Sequence, residues 1–203
     1  MPEDKLRLRT DDELVLQNKG LIEIKKILES NNIEYFLSGG TLLGAVREKN
    51  FIRWDWDVSL YLKTEDVFDK RQLLFCLFKD AGFKVDGFDE SYKNLKYVIY
   101  KYNTKYEIAG YWLEGSTRYR SAWKIPAHFF EDVQTIGFLG EVYPCMTPAE
   151  AYLEYTYGDW RTPKKESVKE RYLSEEVFLD SKWKRKIKPL KSVIRKAIQL
   201  MKK

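Results

Sequence analysis

The sequence predicts an α+β fold, one mixed β-sheet flanked by helices, and three observations carry that reading. Helical and strand patterns alternate through the first eighty residues, strand patterns dominate from about 83 to 144, and helical patterns return after Thr147. Apolar residues make up 44% of the 203 and aromatic residues 15%, enough for a real core and unlike a disordered chain. Neither an internal repeat nor a low-complexity linker interrupts the chain before residue 165.

Thr10 and Glu13 have capping-box spacing, and Leu14, Leu21, Ile24 and Leu28 follow at helical intervals until Asn31-Asn32 breaks the pattern. IEYFL then reads as a short buried strand running into Ser38-Gly39-Gly40, and TLLGAVRE as a short helix opening just after the glycine pair. FIRWDWDVSLYL, rich in aromatic and β-branched residues, reads as one strand. Its period of two puts Asp55, Asp57 and Ser59 on one face and Trp54, Trp56, Val58 and Leu60 on the other. A helix from about Glu65 to Ala81 ends at Gly82. Strands follow at about 83–87, 95–102, 106–113 and 133–144, the last a hairpin turning near Gly140. Thr147, Pro148 and Glu150 combine a capping box with a proline at the first helical position, starting a helix that runs to Tyr157 and stops at Gly158. Residues 1–165 are expected to form one folded domain and 166–203 a helical C-terminal extension.

The charge is uneven. Ten of the 36 Lys and Arg residues lie in 181–203, where there is no acid, so residues 1–180 carry 26 basic against 31 acidic side chains. A mildly acidic body argues against a core that binds nucleic acid. In the tail, Leu190, Val193, Ile194, Ala197, Ile198 and Met201 repeat at helical spacing opposite Lys191, Arg195, Lys196 and Lys202, with Pro189 just before. Such a basic amphipathic helix suits an anionic membrane surface, or docks its apolar face on the body. No apolar run reaches the length of a membrane span and no signal-peptide pattern opens the chain, so a cytoplasmic protein is expected, peripheral on the inner face of the membrane if the tail binds lipid. Cys76 and Cys145 read as free thiols, and with His128 the single histidine, zinc is disfavoured.

The chemistry concentrates between residues 38 and 60. Two carboxylates two apart on a strand repel each other and lose hydration together, a cost that Mg²⁺ or Mn²⁺ removes. Alternating acids on a solvated strand face are the commoner explanation for Asp-Trp-Asp alone. Gly39-Gly40-Thr41 adds a second element, because glycines at a strand-to-helix turn let backbone N–H groups approach a phosphate. Paired acids on the next strand then supply a metal site beside a phosphate cradle.

GGTLLGAVREKNFIRWDWDVSLYL resembles the signature of the LicD/fukutin-like family, in which a GGTLLGA-type loop runs into a WDxDxD pattern, and KIPAHFF with MTPAEAYLEYTYGDWRTP is similar to the family's closing pattern. The resemblance covers roughly residues 30–165. It implies a nucleotidyltransferase-type fold and a metal-dependent phosphotransferase. Such an enzyme moves a phosphorylated alcohol, such as phosphocholine or an alditol phosphate, from a CDP-linked donor to a cell-surface or lipid-linked glycan, as in capsule or lipopolysaccharide synthesis. Carried over by position, it assigns Gly39, Gly40 and Thr41 to the phosphate loop and Asp55 and Asp57 to a Mg²⁺ or Mn²⁺ ion. The third ligand of the family comes from a later strand, which makes Glu107 in KYEIAGYW the candidate; an exposed strand acid is its plainer reading. Arg47 matches a family arginine and suits either a donor phosphate or an ion pair. Arg118, Arg120 and Lys124 read as a solvated loop or an anion-binding cluster, His128 as part of a packed turn, and Asp159 and Arg161 as pins for a helix end.

Two positions depart from the pattern: Arg53 replaces a common proline, and Ser59 replaces the final aspartate. A neutral hydroxyl is a poor substitute for a carboxylate on Mg²⁺. Either Asp55 takes over that role, the metal is held more loosely, or the chain is an impaired homologue that binds nucleotide or glycan. A nucleotidyltransferase activity is a further alternative.

Overall fold

A computed structural model describes residues 7–121 and 123–163. The expected C-terminal extension and its basic tail lie outside these residues. Helix α1 (Asp11–Ser30) begins with the expected capping box, Thr10 Oγ1 accepting from the Glu13 amide and Glu13 returning the bond to the Thr10 amide. Its buried stripe of Leu14, Leu21, Ile24 and Leu28 is the one that the periodicity predicts.

Among the described residues nine strands form the sheet: β1 (Phe36–Leu37), β2 (Asp57–Lys63), β3 (Lys84–Asp89), β4 (Lys96–Lys101), β5 (Thr104–Glu114), β6 (Thr117–Arg120), β7 (Trp123–Pro126), β8 (Gln134–Phe138) and β9 (Glu141–Cys145). The main path runs β3-β4-β5-β2-β1-β9-β8. β2 pairs in parallel with β5 and β1 with β9, while β1–β2, β3–β4, β4–β5 and β8–β9 are antiparallel, so the sheet is mixed as expected. The far end of β5 continues into a second ladder with β6, which in turn pairs with β7.

Period-two alternation divides the central strands. Val58, Leu60 and Leu62 of β2, Tyr106 and Ile108 of β5, and Tyr97 and Ile99 of β4 are all buried on one face. They pack under α1 and under α4 (Arg71–Asp80): the Tyr106 hydroxyl donates to the Gln17 carbonyl of α1, and Phe78 of α4 meets Tyr97 edge-on at 5.5 Å. The opposite face carries Asp57, Ser59 and Tyr61, with Lys105, Glu107, Ala109 and Tyr111 beside them on β5. There α2 (Gly39–Leu43), α5 (Ala149–Tyr157) and the β6–β7 ladder cover the Tyr61–Tyr111 end, where Phe130 packs against both Phe36 and Tyr111.

Several local expectations are corrected. The strand expected from Phe51 starts at Asp57 instead: the Asp55 amide donates to the Ile52 carbonyl at 2.9 Å, closing a turn over 52–55. The backbone before β2 is partnered by the N-terminal segment, with the Arg9 amide on the Arg53 carbonyl, and Trp56 is flanked by the guanidinium groups of Arg7 and Arg9. The helix expected over 65–81 is broken into α3 (Thr64–Val67), a 3₁₀ turn and α4. The short helix takes in both glycines and then widens into a π-helical turn over Gly44–Glu48. At α5 the capping box is not made, because Thr147 Oγ1 is engaged with the Gln134 amide and the Cys145 carbonyl. Arg118, Arg120 and Lys124, read as a basic loop, lie on β6 and β7. The hairpin turning at Gly140 and the two free cysteines are as expected.

Candidate active site

The phosphate-loop candidates and the acids meet at the start of β2. Gly39 adopts a left-handed φ of +54°, which lets the chain leave β1 and enter α2 in one residue. An added Cβ on Gly39 would lie 3.4 Å from Ser59 Cβ, and one on Gly40 would fall 1.9 Å from Asp55 Oδ2. The Thr41 hydroxyl accepts from the Ser59 amide at 2.8 Å. Gly39, Gly40 and Thr41 are therefore seated directly on Asp55 and Ser59, and a side chain at position 40 would displace the Asp55 carboxylate from where it lies. The backbone of Gly39 also hydrogen-bonds the Tyr152 hydroxyl of α5, whose ionisation burial pushes upward. Ser38 Oγ, wholly buried at the head of α2, has no hydrogen-bond partner among the described residues.

Asp55 comes from the turn and Asp57 from the strand, so the two acids belong to different elements. In register, Asp57 lies opposite Lys105 and Ser59 opposite Glu107. Lys105 Nζ is 2.9 Å from Asp57 Oδ2 and 3.4 Å from Glu107 Oε2. Glu107 also pairs with Lys96 at 2.8 Å and with Arg120 at 3.1 Å. Burial pushes the Glu107 carboxyl up, but Lys96, Arg120 and Lys105 outweigh it and hold the group below the usual glutamate value. Burial likewise pulls the Lys105 ammonium down, yet Asp57 and Glu107 together keep it above its ordinary value.

The structure brings Asp55, Asp57, Glu107 and the glycine loop to one end of the β2–β5 pairing. Sequence reasoning missed Lys96 and Lys105 there and read Arg120 as a loop cation. Lys105 is two residues from Glu107 and so shares its face of β5, but its neighbour Asp57 follows only from the β2–β5 register, a tertiary fact. Arg47 points elsewhere: its Nε meets Glu48 at 2.8 Å and its NH1 donates to the Trp160 carbonyl at 2.8 Å. Arg118 is buried, paired with Glu65 at 2.8 Å and lying over the Phe130 ring. His128 is exposed against Phe129, and Arg161 pairs with Glu150 of α5.

Among the described residues no group of three His, Cys, Asp or Glu side chains is arranged to hold a metal ion. The donor chemistry nonetheless fits a hard divalent cation at Asp55 and Asp57, two carboxylates next to a glycine turn of the kind that admits phosphate oxygens. Glu107 and Asp57 share the Lys105 ammonium, which lies between their carboxylates.

A model of the family described as LicD/FKTN/FKRP, nucleotidyltransferase domain, matches residues 32–146, which hold the glycine loop, the turn, β2 and β5. The chain belongs to this family. An uncharacterised Rickettsia prowazekii (strain Madrid E) protein, RP689, is 30% identical over 113 residues, covering 53% of this chain and 39% of that protein. Ribitol 5-phosphate transferase FKRP of Homo sapiens is 47% identical over 47 residues, 23% of this chain and 10% of its own length. Lipopolysaccharide cholinephosphotransferase LicD of Haemophilus influenzae (strain ATCC 51907 / DSM 11121 / KW20 / Rd) is 42% identical over 62 residues, 30% of this chain and 23% of that one. Each match thus spans well under half of its relative. Among solved structures, ANT(2'')-Ia in complex with adenylyl-2''-tobramycin superposes with a TM-score of 0.52 at 16% identity, over 77% of this chain and 85% of that one. At that identity the likeness speaks for the nucleotidyltransferase fold alone.

Proposed function

We propose that this LicD-family chain is a phosphotransferase that moves a phosphorylated alcohol from a CDP-linked donor to a glycan hydroxyl. The observation that carries the reading is the seating of Gly39, Gly40 and Thr41 on Asp55 and Ser59, which sets a glycine turn suited to phosphate oxygens against the Asp55 carboxylate, two residues before Asp57. Asp55 and Asp57 would hold Mg²⁺ or Mn²⁺, with Glu107 the further candidate ligand, and a bound ion would neutralise charge on the transferring phosphate. The amides at the head of α2 would take the donor's phosphate oxygens. In this reading the acceptor oxygen bonds to the phosphorus bearing the alcohol, the bond from that phosphorus to the bridging oxygen breaks, and CMP leaves. Asp57 takes the acceptor proton; Glu107, held ionised by three cations, serves better as their counter-charge. A glycan on lipid would suit the basic segment 181–203 as a membrane contact.

Calorimetry with CDP-choline and CDP-ribitol, with and without Mn²⁺, tests this. Metal-dependent binding that Asp57→Asn abolishes is expected; binding indifferent to both metal and substitution would sink the proposal. Mass spectrometry of the acceptor separates addition of a phosphoalcohol from addition of a nucleotide. A second reading, an impaired homologue that binds nucleotide or glycan as part of an assembly, is favoured by Ser59 and by the lysine between Asp57 and Glu107. It predicts binding without turnover.

A further inference from the structure

The four residues at the centre of the β2–β5 pairing form a square of acid, ammonium, hydroxyl and acid: Asp57 opposite Lys105, and Ser59 opposite Glu107. Lys105 Nζ lies along the diagonal, within reach of both carboxylates at 2.9 and 3.4 Å. Its side chain is about one-third exposed and that of Glu107 much less so, so the contact is only partly screened by water. Glu107 carries two more cations, Lys96 and Arg120, and the Arg120 side chain is largely buried. Asp57 and Glu107 thus set two carboxylates against three cations, Lys105, Lys96 and Arg120. A site dominated by carboxylates attracts a divalent ion strongly, whereas one whose acids are already paired does not, since the ion must displace a cation already in place.

We propose that Lys105 is a tethered counter-ion of this site, holding the position between Asp57 and Glu107 that a divalent cation would take, so that metal enters only by displacing its ammonium. The inference rests on reading the carboxylates as the cation site. It makes Lys105 a positioning residue: with its ammonium in place Asp57 and Glu107 are held together without metal. Ser59 works in the same direction, because an acid there would stand directly opposite Glu107 and raise the negative charge that draws in the ion. The site is therefore tuned toward weak, exchangeable metal, with Lys105 as the competitor.

The test is Mn²⁺ titration of the full chain by calorimetry, without nucleotide, for the unmodified protein and for Lys105→Met, Lys105→Arg and Asp57→Asn. Removing one like charge from a few ångströms should tighten Mn²⁺ binding by about tenfold or more in Lys105→Met. Lys105→Arg, which keeps the charge, should bind like the unmodified protein, and Asp57→Asn should abolish binding. Lys105→Met no tighter than Lys105→Arg, with Asp57→Asn still abolishing binding, would overturn the role of Lys105 and leave the carboxylate site intact. Binding that Asp57→Asn leaves unchanged, or no binding to any form, would overturn the carboxylate site and the proposal with it. A second measurement needs no variant at Lys105: acetylation of its amine, followed by mass spectrometry, should speed up at saturating Mg²⁺ in the native chain and not in Asp57→Asn. A rate that Mg²⁺ does not change in the native chain counts against displacement.

Discussion

Ser59 illustrates how one side chain sets the character of a site. Its Cβ lies against Gly39, its amide is held by Thr41, and it faces Glu107 across the β2–β5 pairing. An aspartate could follow the same backbone, so Ser59→Asp is expected to raise Mn²⁺ affinity by about tenfold, with some loss of stability from repulsion by Glu107; calorimetry and urea melts read the two effects separately. Gly40 abuts the Asp55 carboxylate: Gly40→Ala puts a methyl where that side-chain tip lies, so the carboxylate must turn aside and metal binding should weaken in calorimetry while the urea melt changes little. Glu107 has a sign that can be worked out. Its folded value is lowered from 4.5, so the stability it contributes is complete above that pH and is lost as pH falls through the lowered value. Urea melts across roughly pH 3 to 6 should therefore show a steeper acid loss in the unmodified protein than in Glu107→Gln. At neutral pH the same substitution leaves three cations without their shared acid and should cost about 3 kcal/mol.

Among elements, α1 is the most legible, because its signals are local. Thr10 and Glu13 make the capping box that their spacing predicts, and Thr10→Ala should lower stability by about 1 kcal/mol in a thermal or denaturant melt. The turn before β2 is the opposite case. WDWD carries perfect strand alternation, yet Arg9 and Arg53 bind each other's backbone and pull the segment off the β2–β5 ladder, so Asp55 enters the site from a turn. Thr147 has the sequence of a cap, but its hydroxyl bridges β8 and β9 instead. In each case a partner distant in sequence outcompetes the local pattern.

At the scale of the molecule, the sheet separates two jobs. Its α1–α4 face is a continuous apolar core, while its other face is packed at the Tyr61–Tyr111 end and charged at the Asp57–Lys105 end. Phe130 joins β6–β7 to the sheet through Phe36, Tyr111 and Arg118, and Arg120 on the same β6 strand reaches Glu107. Phe130→Ala should therefore cost about 3–5 kcal/mol in a denaturant melt. It should also loosen the Arg120–Glu107 contact, so that hydrogen exchange in β6 rises more than in α1. Among the described residues no helix is long and apolar enough to cross a membrane.

The run from Ser38 to Ser59 was enough to point to the candidate site, to name its glycines and first two acids and to suggest the family, because strand alternation and strand-to-helix turns are encoded within a few residues. The mixed sheet was legible for the same reason, from the order of its patterns. Packing alone decided that Asp55 comes from a turn, that Arg47 serves the Trp160 backbone, and that Lys96, Lys105 and Arg120 gather on Glu107. Those are questions of register and of side chains from different strands meeting, as Asp57 and Lys105 do across 48 residues of chain. They fix the charge of the site, and charge acts through space regardless of position along the chain.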